Sequence, residues 1–166
     1  ALAGSDPGAW PRALPVAALV VDVAPEAVRE SAARLAAEGF GTLKLKVGGH
    51  AWAQDRLRVR AVREGAGDGV RLRLDANAGW SEAEARRILA ELGDQGVELV
   101  EQPVAAGDVD ALARLRAAGA VPIAADESAS TLAGAHRVLE AGAADVLVLK
   151  PAALGGPSRA LAVADV

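Results

Sequence analysis

The stretch Val146-Leu147-Val148-Leu149-Lys150-Pro151 decides how the rest of this sequence is read. Four apolar residues in a row suit a strand buried on both faces. Asp145 bounds the run in front, and a lysine stands where it stops. The same construction recurs upstream, with short apolar runs at residues 16–23, 42–47, 70–74, 97–100 and 121–125. Five of the six runs end on a charged residue: Lys46, Asp75, Glu101, Asp126 and Lys150, separated by 29, 26, 25 and 24 residues.

Helical patterns fill the intervals. Pro25 suits a first helical turn, and the pattern that it opens reaches Glu38 and stops at Gly39. Residues 53–64 form a second helix that Gly65 should end. Ser81-Glu82-Ala83-Glu84 is a capping box, and it launches a helix to Leu92 that Gly93 should stop. Asp108 caps a fourth helix ending at Gly119. Residues 132–141 form a fifth ending at Gly142, and a sixth starts near Arg159. Gly155-Gly156 reads as a tight turn. Strands alternating with helices predict a parallel sheet with right-handed crossovers. Both a doubly wound sheet and a (β/α) barrel fit that order. The charged strand ends favour the barrel, in which they would form a ring at the C-terminal face, where barrel enzymes keep their chemistry. The expected fold class is therefore α/β, a TIM-type (β/α) barrel of which this chain holds about six units.

Composition narrows the function classes. Of 166 residues, 52% are hydrophobic but only 2% are aromatic, so the core must be aliphatic. A formal net charge of −4 leaves no electrostatic footprint for nucleic acid. No apolar run is long enough for a membrane span, and residues 1–10 lack the order of a signal peptide. With no cysteine there is no disulfide and no thiolate metal site. The cytoplasm is the expected compartment.

The three acids at strand ends are the central candidates. An acid after a strand often caps the next helix, but Asp75 lies well before the capping Ser81, and Glu101 well before Asp108. Three carboxylates sharing one pocket repel and raise one another's pKa. A hard divalent cation relieves that repulsion, and Mg²⁺ prefers such oxygen ligands. Lys44 and Lys46 point to the same face of their strand. Neighbouring ammonium groups depress each other's pKa, which brings a neutral amine base within reach. Lys150 lies across the ring from Lys46, so the two bracket the acids. His50 and His136 are isolated and read as surface residues. Ser128 has no histidine partner at a strand end.

Leu43-Lys44-Leu45-Lys46 resembles the Lys-x-Lys strand of the enolase superfamily, in its muconate-lactonizing subgroup. Leu74-Asp75-Ala76-Asn77, Val100-Glu101-Gln102-Pro103 and Ala125-Asp126-Glu127-Ser128 resemble the three metal-ligand strand ends of that family. The resemblance runs from about Leu14 to Gly156. Within the subgroup, the segment from Leu149 to Gly156 is most similar to the o-succinylbenzoate synthases of menaquinone biosynthesis. Dipeptide epimerases often carry a second lysine where this chain has Ala153. Ala78-Gly79-Trp80 departs from the usual synthase pattern.

The resemblance implies abstraction of a proton α to a carboxylate of a small-molecule substrate. Mg²⁺, or Mn²⁺, would be held by Asp75, Glu101 and Asp126. Lys46 would be the base and then the acid in a syn dehydration. Lys44 would hold Lys46, and Lys150 would stabilise charge from the opposite face. A racemase of N-acylamino acids or a dipeptide epimerase could use the same residues. The family also implies a capping domain before the barrel and two strands after the sixth. Residues 1–13 accordingly read as a linker from a missing N-terminal capping domain, and 14–166 as a partial barrel with strands one to six. With no Met at position 1, the chain reads as part of a longer protein, and a non-catalytic barrel piece is the remaining alternative. Oligomeric state is not legible.

Overall fold

A computed structural model describes residues 13–165, so all but one residue of the expected linker lies outside the described residues. The elements run β1 (Ala18–Val20), α1 (Pro25–Ala37), β2 (Thr42–Lys46), α2 (Trp52–Ala66), β3 (Arg71–Asp75), α3 (Glu82–Leu92) and β4 (Val97–Glu101). They continue with α4 (Val109–Ala118), β5 (Ile123–Ala125), α5 (Leu132–Glu140), β6 (Val146–Leu147), α6 (Pro151–Leu154) and α7 (Pro157–Ala164). A 3₁₀ turn, Glu127–Ala129, follows β5. Among the described residues no helix is long and apolar enough to cross a membrane.

All six strands are parallel and lie in the order β1-β2-β3-β4-β5-β6. That order separates the two architectures the sequence left open. A doubly wound sheet reverses its strand order at a switch point. Strands laid down in succession, with crossovers of one hand, put every helix on the same face. The sheet is the wall of a (β/α) barrel. Among the described residues β1 and β6 do not pair, so the charged strand ends lie along an arc and not around a closed ring.

The period-2 alternation of the strands divides the two faces. Leu43, Leu45, Leu72, Leu74, Val100 and Ile123 are fully shielded from water beneath the helices. Register places Lys44 beside Arg73, and Lys46 beside Asp75, on the opposite, inner face. The helix signals hold where side-chain chemistry sets them. The capping box at Ser81 and Glu84 is formed, and Asp108 accepts from the Ala111 amide. Gly119 closes α4 in the left-handed conformation. Gly155 and Gly156, both at positive φ, turn the chain between α6 and α7.

Four expectations need correction. The apolar run at 16–23 is a strand only over Ala18–Val20, and β6 pairs only at Val146 and Leu147. Among the described residues each has a neighbour on one side alone, and Leu19, Val21 and Val146 stay exposed on the inner face. The last helix starts at Pro157, earlier than Arg159, after a separate short α6. Gly65 does not stop α2, which runs on to Ala66 with Gly67 beyond it.

Gly65 is there for contact. A Cβ at Gly65 would collide with the Arg29 carbonyl oxygen of α1 and stand 3.1 Å from the Ala33 nitrogen. Replacing Gly by Ala inside an open helix stabilises by about 0.5–1 kcal/mol. Here the overlap with backbone reverses the sign. Gly65→Ala is expected to destabilise the protein by about 1–3 kcal/mol, the usual range for overpacking, measured as a lower urea midpoint with an unchanged m-value.

Candidate active site

Strands β2 to β5 end side by side and bring the predicted residues to one place. Lys46 pairs in register with Asp75, Asp75 with Glu101, and Glu101 with Ala124, two residues before Asp126. Alternation puts Lys44, Lys46, Asp75, Glu101 and Asp126 on the inner face. Asp75, Glu101 and Asp126 are only 2%, 5% and 2% exposed. None of them caps a main helix. Ser81, Asp108 and Thr131 cap α3, α4 and α5.

Lysines balance the buried acids. Lys44 Nζ lies 2.8 Å from Asp75 Oδ2 and donates to both oxygens of Glu101 at 2.8 Å. Lys150 is ion-paired with Asp126 across the strand ends. Burial pushes the Glu101 carboxyl above the usual carboxylate range. Lys44 opposes that shift, while Asp75 and Asp126 add to it. At Lys44 burial pulls downward, but the hydrogen bonds to Asp75 and Glu101 together outweigh it, so its ammonium is held above the ordinary lysine value. The depression expected at Lys44 from its neighbour is therefore not what its surroundings produce. The hydrogen bond from Lys150 to Asp126 likewise raises the Lys150 ammonium.

Lys46 is exposed, and it is held by a residue that the sequence did not single out as functional. Its Nζ donates to Asn77 Oδ1 at 2.8 Å. Asn77 Nδ2 donates in turn to Glu127 Oε1 at 3.1 Å, and the other Glu127 carboxylate oxygen is buried without a partner. Asn77 has a φ of 43°, a left-handed backbone that asparagine tolerates better than most residues. Gln102, also left-handed at φ 40°, is fully buried and fastens β4 to β5. Its Oε1 accepts from the amides of Asp126 and Ser128 at 3.0 Å, and its Nε2 donates to Val104 O and Ser128 Oγ. Ser128 is thus part of the scaffold and not a nucleophile. The one available signal for Gln102 was its position directly after Glu101 and before Pro103.

The chemistry of the donor set fits a hard divalent cation. It offers three carboxylates from adjoining strand ends, shielded from water, with Glu101 disfavoured as an anion by its acidic neighbours. Among the described residues no three such side chains stand in an arrangement that could enclose an ion. The oxygens of Asp75 and Glu101 are turned onto Lys44, and Asp126 onto Lys150. Binding would require the carboxylates to leave these ammonium groups.

A partial (β/α) barrel with lysines and buried acids on successive strand ends defines the class, and known proteins place the chain within it. Residues 27–166 match the family described as enolase C-terminal domain-like. The chain belongs to that family, and with it to the enolase superfamily. It is 44% identical over 161 residues to o-succinylbenzoate synthase of Mycolicibacterium smegmatis, covering 95% of this chain and 48% of the relative. It is 43% identical over 162 residues to o-succinylbenzoate synthase of Thermobifida fusca, covering 94% of this chain and 50% of the relative. The substrate-liganded structure of L-Ala-D/L-Glu epimerase from Bacillus subtilis superimposes with a TM-score of 0.86 at 38% identity, over 90% of this chain and 42% of that one. The chain thus spans half the length, or less, of the relatives it matches.

The raised Glu101 pKa carries a sign. A carboxyl whose folded pKa lies above its unfolded value contributes stability at low pH and loses it as pH rises through the folded pKa. With chelator present, Glu101→Gln is therefore expected to raise the thermal midpoint at pH 7, and the gain should shrink on going to pH 4. Melting curves of both proteins at the two pH values check this.

Proposed function

We propose that this chain forms the proton-abstracting centre of a Mg²⁺-dependent lyase that dehydrates a cyclohexadiene carboxylate bearing a succinyl group to o-succinylbenzoate, a step of menaquinone biosynthesis. One observation carries the reading: Lys46 and Lys150 flank, from β2 and from the end of β6, a row of three buried carboxylates. The two synthase relatives, matched over nearly the whole chain, support the choice of reaction. So does Ala153, which stands where dipeptide epimerases often carry a lysine.

In this reading Asp75, Glu101 and Asp126 hold Mg²⁺, with Mn²⁺ as a substitute. The bound ion would receive the substrate carboxylate and the negative charge that builds on it. A carbon acid α to a carboxylate is very weak, so charge stabilisation must accompany base catalysis. Lys46 Nζ takes the proton from that carbon, and the C–H electron pair becomes part of a C=C bond. The ammonium so formed returns its proton, on the same side, to the hydroxyl that departs as water, and the ring becomes aromatic. Lys150 presents a fixed cation to the other face. Lys44, released as Asp75 and Glu101 turn to the ion, stays beside them as a fixed positive charge. Asn77 steadies Lys46.

The position of Lys150 opposite Lys46, together with the likeness to the B. subtilis epimerase, favours a second reading on the same residues. Lys150 would then donate a proton to the face opposite the one Lys46 deprotonates, giving a racemase of N-acylamino acids or a dipeptide epimerase. Because the chain spans half or less of its relatives, the pocket is proposed to be completed by a capping domain preceding residue 14 and by further barrel strands. The partner is a small carboxylate and neither nucleic acid nor membrane. A cytoplasmic setting accords with the lack of cysteine.

The test is incubation of the full-length protein with Mg²⁺ and the cyclohexadiene substrate in D₂O. The expected product is o-succinylbenzoate. Chelator should abolish turnover, and Mg²⁺ or Mn²⁺ should restore it. Deuterium incorporation into N-acylamino acids or dipeptides without any dehydration selects the second reading. Lys46→Ala is expected to lower kcat by about 10²–10⁴-fold, the range of general acid–base catalysis. The 166 residues alone are expected to show no turnover, because the inner face is open between β1 and β6.

A further inference from the structure

Helix α2 carries an ion pair that the charge balance of the active site does not require. Asp55 is fully buried and Arg58 is 5% exposed. Asp55 Oδ1 accepts from Arg58 Nη1 at 2.9 Å. A buried ion pair is often no more stabilising than apolar residues of the same size. The contacts of this one point to a different use. Arg58 Nη1 also donates to the backbone carbonyl of Lys46 at 2.9 Å, and Nη2 donates to the carbonyl of Asp22 at 3.0 Å. Asp55 Oδ2 accepts from the Gly48 amide at 2.7 Å.

These contacts lie where β1 and β2 part. The last residues paired between the two strands are Val20 and Leu45. Beyond them the carbonyls of Asp22 and Lys46 have no ladder partner in each other, since two acceptors cannot bond. A guanidinium, a planar fork of donors, can bridge both, whereas a lysine presents a point charge on a flexible stem. Asp55 neutralises that fork and holds the amide two residues past Lys46. On the other side Gly48, at φ +83°, is pressed so close to the turn after β3 that a Cβ would lie 2.8 Å from the Ala76 oxygen.

We propose that the Asp55–Arg58 pair positions Lys46. The pair clamps the backbone just after the lysine's Cα, at its own carbonyl and at the Gly48 amide, while Asn77 holds the ammonium at the far end of the stem. With both ends fixed, the amine is presented to one substrate carbon. The pair touches no substrate and acts through Lys46, so this inference rests on the reading of Lys46 as the base.

The test uses the full-length Mg²⁺-loaded protein and substrate carrying deuterium at the abstracted position. Arg58→Lys keeps the charge opposite Asp55 but loses the fork. It is expected to lower kcat by about 10–100-fold, as misplacement of a reacting group by about 1 Å does, with KM little changed. The primary isotope effect on kcat should also grow, because only proton transfer has been slowed. Asp55→Asn, which retains an acceptor for Gly48, should show the same pattern more weakly, and it serves if Arg58→Lys does not fold. A fall in kcat with an unchanged isotope effect, or loss of the folded state in both variants, overturns the proposal and leaves the pair a purely structural one. If Lys46→Ala is inactive while both variants match the wild type, this inference alone fails. If Lys46→Ala keeps wild-type kcat, the reading of Lys46 as base fails and the positioning role falls with it.

Discussion

Asp75, Glu101 and Asp126 hold three negative charges almost out of water at the ends of three neighbouring strands, and a folded chain must balance them. Lys44 and Lys150 do so directly. Much of the surrounding structure serves the same constraint. Gln102 gives up its side-chain amide to hold the backbone of Asp126. Asn77 and Gln102 adopt left-handed backbone at the two turns where β3 and β4 leave the sheet. Asp75 accepts from the amide of Asn77, two residues on. The aliphatic layer of Leu43, Leu45, Leu72 and Leu74 beneath the helices keeps the strands in the register that sets the acids side by side.

The same arrangement accounts for the two roles that lysine takes here. Lys44 points into the acids and is kept as a cation by them. Lys46, one turn of the pleat further along, lies clear of that cluster and bonds to a neutral amide. Two residues of one type on one strand face thus acquire different chemistry from what lies across the sheet. An electrostatic anchor and an exposed amine are separated by a single repeat of the strand.

The repeat of apolar run and charged end was legible because a charge stops a hydrophobic run abruptly. Lys46, Asp75, Glu101, Asp126 and Lys150 all stood out for that reason, and the structure brings them together along one edge. The extents of β1 and β6 were not legible. Residues 16–23 and 146–149 advertise hydrophobicity, but strand length depends on having a partner to pair with. Gly65 looked like punctuation and proved to be a point of helix contact, because a glycine's φ and its neighbours are both invisible in sequence. The roles of Asn77 and Gln102 were hidden because the groups they bond, Lys46 and Glu127 for one and the Asp126 and Ser128 amides for the other, lie 24 or more residues away in sequence. Asp55 and Arg58 left a trace, since they interrupt the buried stripe of Val59 and Val62 with opposite charges three residues apart. The carbonyls that they serve could be found only in three dimensions.

The monotonic strand order has a consequence for how the chain comes to be folded. Every strand from β2 to β6 pairs with the strand immediately before it, so each ladder closes a loop no longer than one βα unit. Closure entropy is then similar at each step and does not grow along the chain. On a ribosome, each strand emerges when its template is already present. The sheet can be extended one unit at a time, in the order of synthesis. Lys44, on β2, precedes Asp75 and Glu101 in the chain, so folding in that order would bury neither acid ahead of its counterion.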